Sequence, residues 1–193
     1  KALPRLQELI KYHEVPVATI TYFVHSMLSE QISAKGYKVA FSGTSADELF
    51  TGYYDHFLLH LNAVRDRDKH PRHLNDWEDN ILPFVRNPTF RNPDLYKERP
   101  GYREHVYDNS SEFMSFLKVP FGEEFKEELL SEGLLRNRMM NELFYEITPV
   151  VLHEDDLNSM FYSIENRSPY LDSKLFEFAH SIPDEYLVQD GYG

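Results

Sequence analysis

Only one stretch of this chain reads convincingly as a β-strand, and a strand cannot stand alone. Its backbone N–H and C=O groups need partners along the edges. The stretch is Tyr37-Lys38-Val39-Ala40-Phe41, followed by the small-residue turn Ser42-Gly43-Thr44-Ser45. From Ala46 onward, Leu49, Phe50, Tyr53, Phe57, Leu58 and Leu61 recur at three- and four-residue steps, the spacing of a helix face. A strand that breaks on such a turn and opens a helix aims N–H groups and the positive helix end at one point. That point suits an anion such as phosphate. Asp47 and Glu48 in the first turn of the helix either cap N–H groups or hold a metal ion riding on phosphate. On this pattern capping and catalysis are equally open.

The rest of the chain reads as helix. Residues 2–12 and 21–34 carry apolar faces, with Pro16 between them and Gly36 as a left-handed stop. A charged break covers 66–72, and a helix over 73–86 holds the single tryptophan, Trp77. Pro83, Pro88, Pro93 and Pro100 then mark an irregular excursion to about Asn109. Further helices are predicted over 111–117, 123–131, 133–147 (ended by Pro149), 155–164 and 168–182, with Val150-Val151-Leu152 a weaker second strand. The predicted fold is predominantly α-helical with one or two short strands. The missing strand partners are either hidden from this pattern or supplied by sequence outside these residues.

The 193 residues, 41% hydrophobic and 27% charged, suffice for a globular core. A net charge of −12 argues against binding nucleic acid or docking on an anionic membrane. No apolar run reaches transmembrane length. Cysteine is absent, which removes disulfides, thiolate metal sites and cysteine nucleophiles, and favours a cytoplasmic location.

A second polar cluster is Glu165-Asn166-Arg167-Ser168-Pro169-Tyr170-Leu171-Asp172. Arg167 suits bidentate contact with a phosphate or carboxylate. On residues alone, an ion pair at a helix end is the favoured reading, with Ser168-Pro169 opening the next helix. His153-Glu154-Asp155-Asp156 reads as a solvated acidic helix start. His56 and His60 have the spacing of a zinc pair, but Phe57 stands where a metalloprotease needs glutamate, and no third ligand is evident.

Taken together, two segments resemble the glutamine-dependent asparagine synthetase family. Residues 42–53 resemble its S-G-x-G-x-D-E-x-F-x-G-Y motif, and residues 156–172 its D-x-x-S-M-x-x-S-x-E-x-R-x-P-F-L-D segment, in the family's order. The resemblance implies an α/β fold of the pyrophosphatase-loop ATPase type, with this chain as an internal part of the synthetase domain spanning 1–193. It implies that Mg2+ and ATP activate a carboxylate as an acyl-adenylate, which ammonia from an N-terminal glutaminase domain converts to an amide. By the same resemblance Asp47 holds the magnesium, Ser42, Gly43 and Thr44 line the nucleotide's anion site, and Glu165 and Arg167 serve the reaction. A homodimer is allowed without being fixed.

Three departures qualify the resemblance. The family's S-G-G-x-D-S loop and its later catalytic lysine are not found in these residues, so the chain is expected to be a piece of a larger enzyme, inactive alone. Thr44 stands where asparagine-forming enzymes carry a glutamate thought to act as a base. Threonine cannot accept a proton at neutral pH. The acceptor is therefore aspartate with another group acting as base, or a different carboxylate; relatives in surface-polysaccharide pathways point to a sugar uronic acid. A non-catalytic interaction module that kept the fold is the alternative outside enzymology.

Overall fold

The computed structural model describes residues 2–107, 109–120, 122 and 125–193. In chain order its main elements are α1 (Ala2–His13), α2 (Ile20–Ala34), β1 (Val39–Phe41), α3 (Ala46–Phe50), α4 (Tyr54–Ala63) and α5 (His70–Asn80). There follow α6 (Leu95–Glu98), α7 (Ser110–Met114), α8 (Leu134–Asn141), α9 (Ile147–Phe161), β2 (Glu165–Arg167) and α10 (Ser173–Ser181). A π-helical turn, Glu142–Glu146, precedes α9. The fold is predominantly helical with one short parallel strand pair, as expected. No helix among the described residues is long and apolar enough to cross a membrane. The chain forms two compact units, residues 1–50 with 142–181, and residues 51–141 with 182–193.

In the first unit β1 and β2 pair in parallel, Val39 opposite Glu165, Ala40 opposite Asn166 and Phe41 opposite Arg167. The Ser42 N–H donates to the Arg167 carbonyl at 2.9 Å, carrying the ladder one residue beyond β1. α9 packs on α2, where buried Asn158 donates to the Tyr22 carbonyl at 3.0 Å. α1 meets α9 through the Tyr12 and Phe161 rings, edge-on at 4.9 Å. Buried Glu154 accepts the Ala18 N–H at 3.1 Å and faces His13 at 3.6 Å. Burial holds the His13 imidazole below its ordinary range, and Glu154 only partly opposes this. Leu49, Leu143 and Ala179 form a small core against Phe176 and Tyr170.

The second unit holds the larger core, with Leu58, Leu61, Trp77, Tyr96, Leu135 and Met139 buried in it. α4 is buried over Asp55–Leu61, as a helix apolar on most sides must be. A buried ion pair joins Asp55 of α4 to Arg138 of α8. Arg138 also donates to Glu127 at 2.5 Å and to the Tyr96 hydroxyl at 3.3 Å. His60 and His73 pack ring edge to ring at 5.0 Å inside the core. Burial, reinforced by His73, lowers the His60 imidazole to about 4.

Several sequence expectations are corrected. Val150–Leu152 is helical: α9 begins at Ile147 directly after the π-helical turn Glu142–Glu146, so Pro149 falls where the regular α-helical bonding is already interrupted. The second strand is the polar Glu165–Arg167, which carries no apolar alternation for a sequence pattern to detect. The helix from Ala46 to Leu61 breaks at Thr51, whose φ is +72° and whose hydroxyl donates to the Leu187 carbonyl at 3.1 Å. Residues 125–131 are not helical; 123 and 124 lie outside the described residues. Asn137 instead accepts the Leu130 N–H at 2.8 Å, and Asn141 brackets the Glu128 backbone at 2.8 and 2.9 Å. Those side chains satisfy the N–H groups a helix would have used.

Two stability outcomes follow. Truncating either partner of the buried pair, Asp55→Ala or Arg138→Ala, leaves a charge without its partner and costs roughly 3–5 kcal/mol in urea unfolding. His60 stays neutral in the folded chain down to about pH 4, whereas an unfolded imidazole takes its proton near 6.5. Its folded pKa is depressed, so between these values the unfolded chain binds the extra proton. Its contribution is full above pH 6.5 and lost as pH falls toward 4. In His60→Gln, unfolding midpoints should therefore fall less steeply over this window than in the wild type.

Candidate functional site

The parallel register brings both sequence clusters to one place in the first unit. β1 delivers Ser42 at its end, and β2 delivers Arg167 and Ser168 beside it. The Ser42 hydroxyl lies 3.1 Å from that of Ser168 and 3.0 Å from that of Thr44. Thr44 in turn donates to Asp155 Oδ2 at 3.4 Å. Asp155 Oδ1 is 3.1 Å from Nδ1 of His25 on α2. The result is a chain of polar contacts, His25–Asp155–Thr44–Ser42–Ser168, drawn from four separate parts of the sequence. It borders a cavity of about 190 Å³ whose polar wall includes His25, Ser29, Ser42, Asp155, Ser159 and Asn166. Leu28, Ile32 and Ile164 form its apolar side.

The turn itself is strained at one point. Ser45 has φ of +74°, a left-handed conformation that glycine adopts freely and serine rarely. The family motif quoted above has glycine at this position. Here the buried Ser45 hydroxyl is fixed at 3.0 Å from that of Thr148 on α9. A Cβ built on Gly43 would meet nothing within 4 Å, so the backbone at Gly43 is open to an approaching group.

The sequence-predicted residues divide into three groups. Ser42 and Thr44 belong to the polar chain described above. Glu165 and Arg167 sit together on β2, joined at 2.8 Å with both side chains more than half exposed. The hydrogen bond, and then the charge, holds the Glu165 carboxyl below and the Arg167 guanidinium above their ordinary ranges. The ion pair expected from the residues alone is present and Ser168-Pro169 opens the helical turn Pro169–Leu171, but the pair lies on a strand rather than at a helix end, where an exposed pair does little for the fold. Asp47 lies in α3, exposed, and no side-chain bond ties it to the others among the described residues.

Asp47 is a free carboxylate of the kind that a magnesium ion carried on phosphate would need. Mg2+ takes one or two carboxylates and otherwise keeps water and phosphate oxygens. Asp47 offers one uncommitted carboxylate, in the turn after an open glycine and two hydroxyls. Asp47 would hold the ion, and Ser42, Gly43 and Thr44 would face the phosphates.

A family model described as asparagine synthase matches residues 1–193. The chain belongs to the asparagine synthase family. Membership brings ATP-dependent amidation at the level of the family. Comparison with curated proteins and with solved structures returns no match.

Sequence reasoning missed His25, and it placed Asp155 in a solvated helix start. α9 begins eight residues earlier, at Ile147, so His153–Asp156 occupies the middle of the helix. Glu154 there faces His13, and Asp155 faces His25. A polar i, i+1 pair inside an amphipathic helix was the available signal, hidden by the wrong helix boundary.

Arg167→Ala and Glu165→Ala should leave the thermal midpoint unchanged, because neither side chain is buried. A drop in the melting temperature of either variant would show that the pair is structural after all.

Proposed function

We propose that this chain carries the magnesium–pyrophosphate half of an active site that activates a carboxylate with ATP and converts it to an amide. The carrying observation is the turn Ser42–Asp47, drawn against the second motif by the β1–β2 pairing. Attack of the carboxylate on the α-phosphorus of ATP forms an acyl-adenylate and expels pyrophosphate, on which charge builds as the bond breaks. The Ser42 and Thr44 hydroxyls and the open backbone at Gly43 would face that charge, and Asp47 is the carboxylate that would hold a magnesium ion to offset it. Arg167 keeps guanidinium N–H groups toward solvent while Glu165 fixes its Nε, so it can take an anionic substrate group without reorganising. The nitrogen comes as ammonia from a glutaminase domain N-terminal to these residues in the full-length chain.

A second reading of the acceptor rests on the cavity lining. Its polar wall is built from serine hydroxyls, Asn166, His25 and Asp155, with no lysine or arginine among the described residues that line it. A sugar uronic acid brings neutral hydroxyls, which such a wall can bond both as donors and as acceptors.

The test uses the full-length chain with Mg-ATP. Exchange of pyrophosphate into ATP should depend on the carboxylate offered, and Asp47→Ala should lower it by about 10²-fold. Exchange indifferent to Asp47 would overturn the assignment, and no exchange with any carboxylate would favour an interaction module. Offering aspartate and uronic-acid sugars separately decides the acceptor.

A further inference from the structure

We propose that His25, oriented by Asp155, is the proton acceptor for the nitrogen nucleophile when the amide is formed. The proposal rests on the amidation reading above and names a group that reading leaves vacant. Attack of ammonia on an activated acyl carbon forms the C–N bond, and the C–O bond to phosphate breaks with its electron pair leaving on the nucleotide. The nitrogen then carries one proton too many. That proton must go to a base at the site. Thr44, in the turn, has only a hydroxyl, which is already donated to Asp155.

The geometry supplies an imidazole instead. Nδ1 of His25 faces Asp155 Oδ1 at 3.1 Å, so the carboxylate holds the proton on Nδ1 and leaves Nε2 as the acceptor. Nε2 has no partner among the described residues, and the side chain is 43% exposed at the wall of the cavity that Ser42 also borders. Asp155 is the weaker candidate for the base itself. Both of its oxygens are engaged, by His25 and by Thr44, and its side chain is only 11% exposed. A nucleophile's acceptor, its orienting carboxylate and the adjoining anion turn thus stand in one connected set.

The charges around His25 agree with this role. α9 presents Asp155, while its neighbour Glu154 is turned to His13 and the Ala18 N–H. On α2 itself the Tyr22 ring meets His25 edge-on at 5.9 Å. The β1 side of the cavity contributes the uncharged Ala40, Phe41 and Ser42. After taking the proton, the imidazolium faces one carboxylate and no competing cation, and it returns the proton to solvent through its exposed edge.

The experiment uses the full-length chain, ammonium chloride as nitrogen source, and whichever carboxylate supports pyrophosphate exchange. In His25→Gln the ratio of amide formation to exchange should fall about 10²-fold. Asp155→Asn should lower the same ratio by less. Hydroxylamine is largely unprotonated at neutral pH and needs less help from a base, so it should restore turnover in His25→Gln. Independently of turnover, ¹⁵N-imidazole NMR of the wild type should show His25 protonated on Nδ1, and Asp155→Asn should mix the two tautomers. An unchanged ratio in His25→Gln, equal losses of exchange and amide formation, or a tautomer indifferent to Asp155→Asn would each overturn the proposal. Absence of exchange in the wild type would instead overturn the amidation reading. Since His25 is partly exposed, an unchanged thermal midpoint is expected for its variant, and His25→Asn provides a second replacement should Gln disturb the fold.

Discussion

The site depends on three residues of parallel backbone pairing. Val39–Phe41 and Glu165–Arg167 lie far apart in sequence, and nothing local holds them together. Their ladder closes a long loop, so its entropy must be repaid elsewhere. The repayment comes from α9 packing on α2 and α1, including the buried Asn158 bond to Tyr22 and the Tyr12–Phe161 contact. Once that packing fixes the register, Ser42 and Ser168 meet at 3.1 Å without further adjustment. A slip of one residue would turn Asn166 outward and Glu165 and Arg167 inward. It would bury two charges and break the polar chain at once.

How much of this was legible in the sequence follows from the kind of signal each part carries. β1 and the amphipathic helices α1, α2 and α5 announce themselves through apolar spacing, which burial requires. β2 is three polar residues, so its strand character resides in its partner rather than in its own composition. The helix boundaries failed where a rule of thumb met a tolerated exception, as at Pro149 in the first turn of α9. That one boundary also concealed Asp155. A helix is expected over 123–131, yet over residues 125–131 Asn137 and Asn141 on α8 capture the backbone from outside. No local pattern contains that competition. At the site, Ser42, Thr44 and Arg167 were visible because they lie in compact motifs. His25 was not, because it has no motif and becomes chemical only beside a carboxylate 130 residues away.

The two units use polar interiors in opposite ways. In the second unit Arg138, Asp55, Glu127 and Tyr96 satisfy one another in the core, and the pair is fully desolvated. Such a network constrains structure because any removed partner leaves another stranded. In the first unit the polar chain borders a cavity, with His25, Asp155 and Ser42 among its lining residues. There the unpaired capacity faces space that another molecule can enter. Difference in satisfaction, more than difference in composition, separates the structural cluster from the chemical one.

Thr44 and Asp155 are best understood as a linked choice. With Thr44 Oγ1 at 3.4 Å from Asp155 Oδ2, an acid at position 44 would set a second carboxylate beside the first. Two carboxylates that close repel one another. Asp155 could not then be relied on to orient His25. A hydroxyl at 44 removes the repulsion and donates a hydrogen bond that holds Asp155 in place. The departure that first looked like the loss of a base is, in this geometry, a condition for having a histidine as one. The strained Ser45 next to it fits the same logic. Its φ of +74° is held by the buried bond to Thr148, which fixes the turn from behind and sets where Thr44 points.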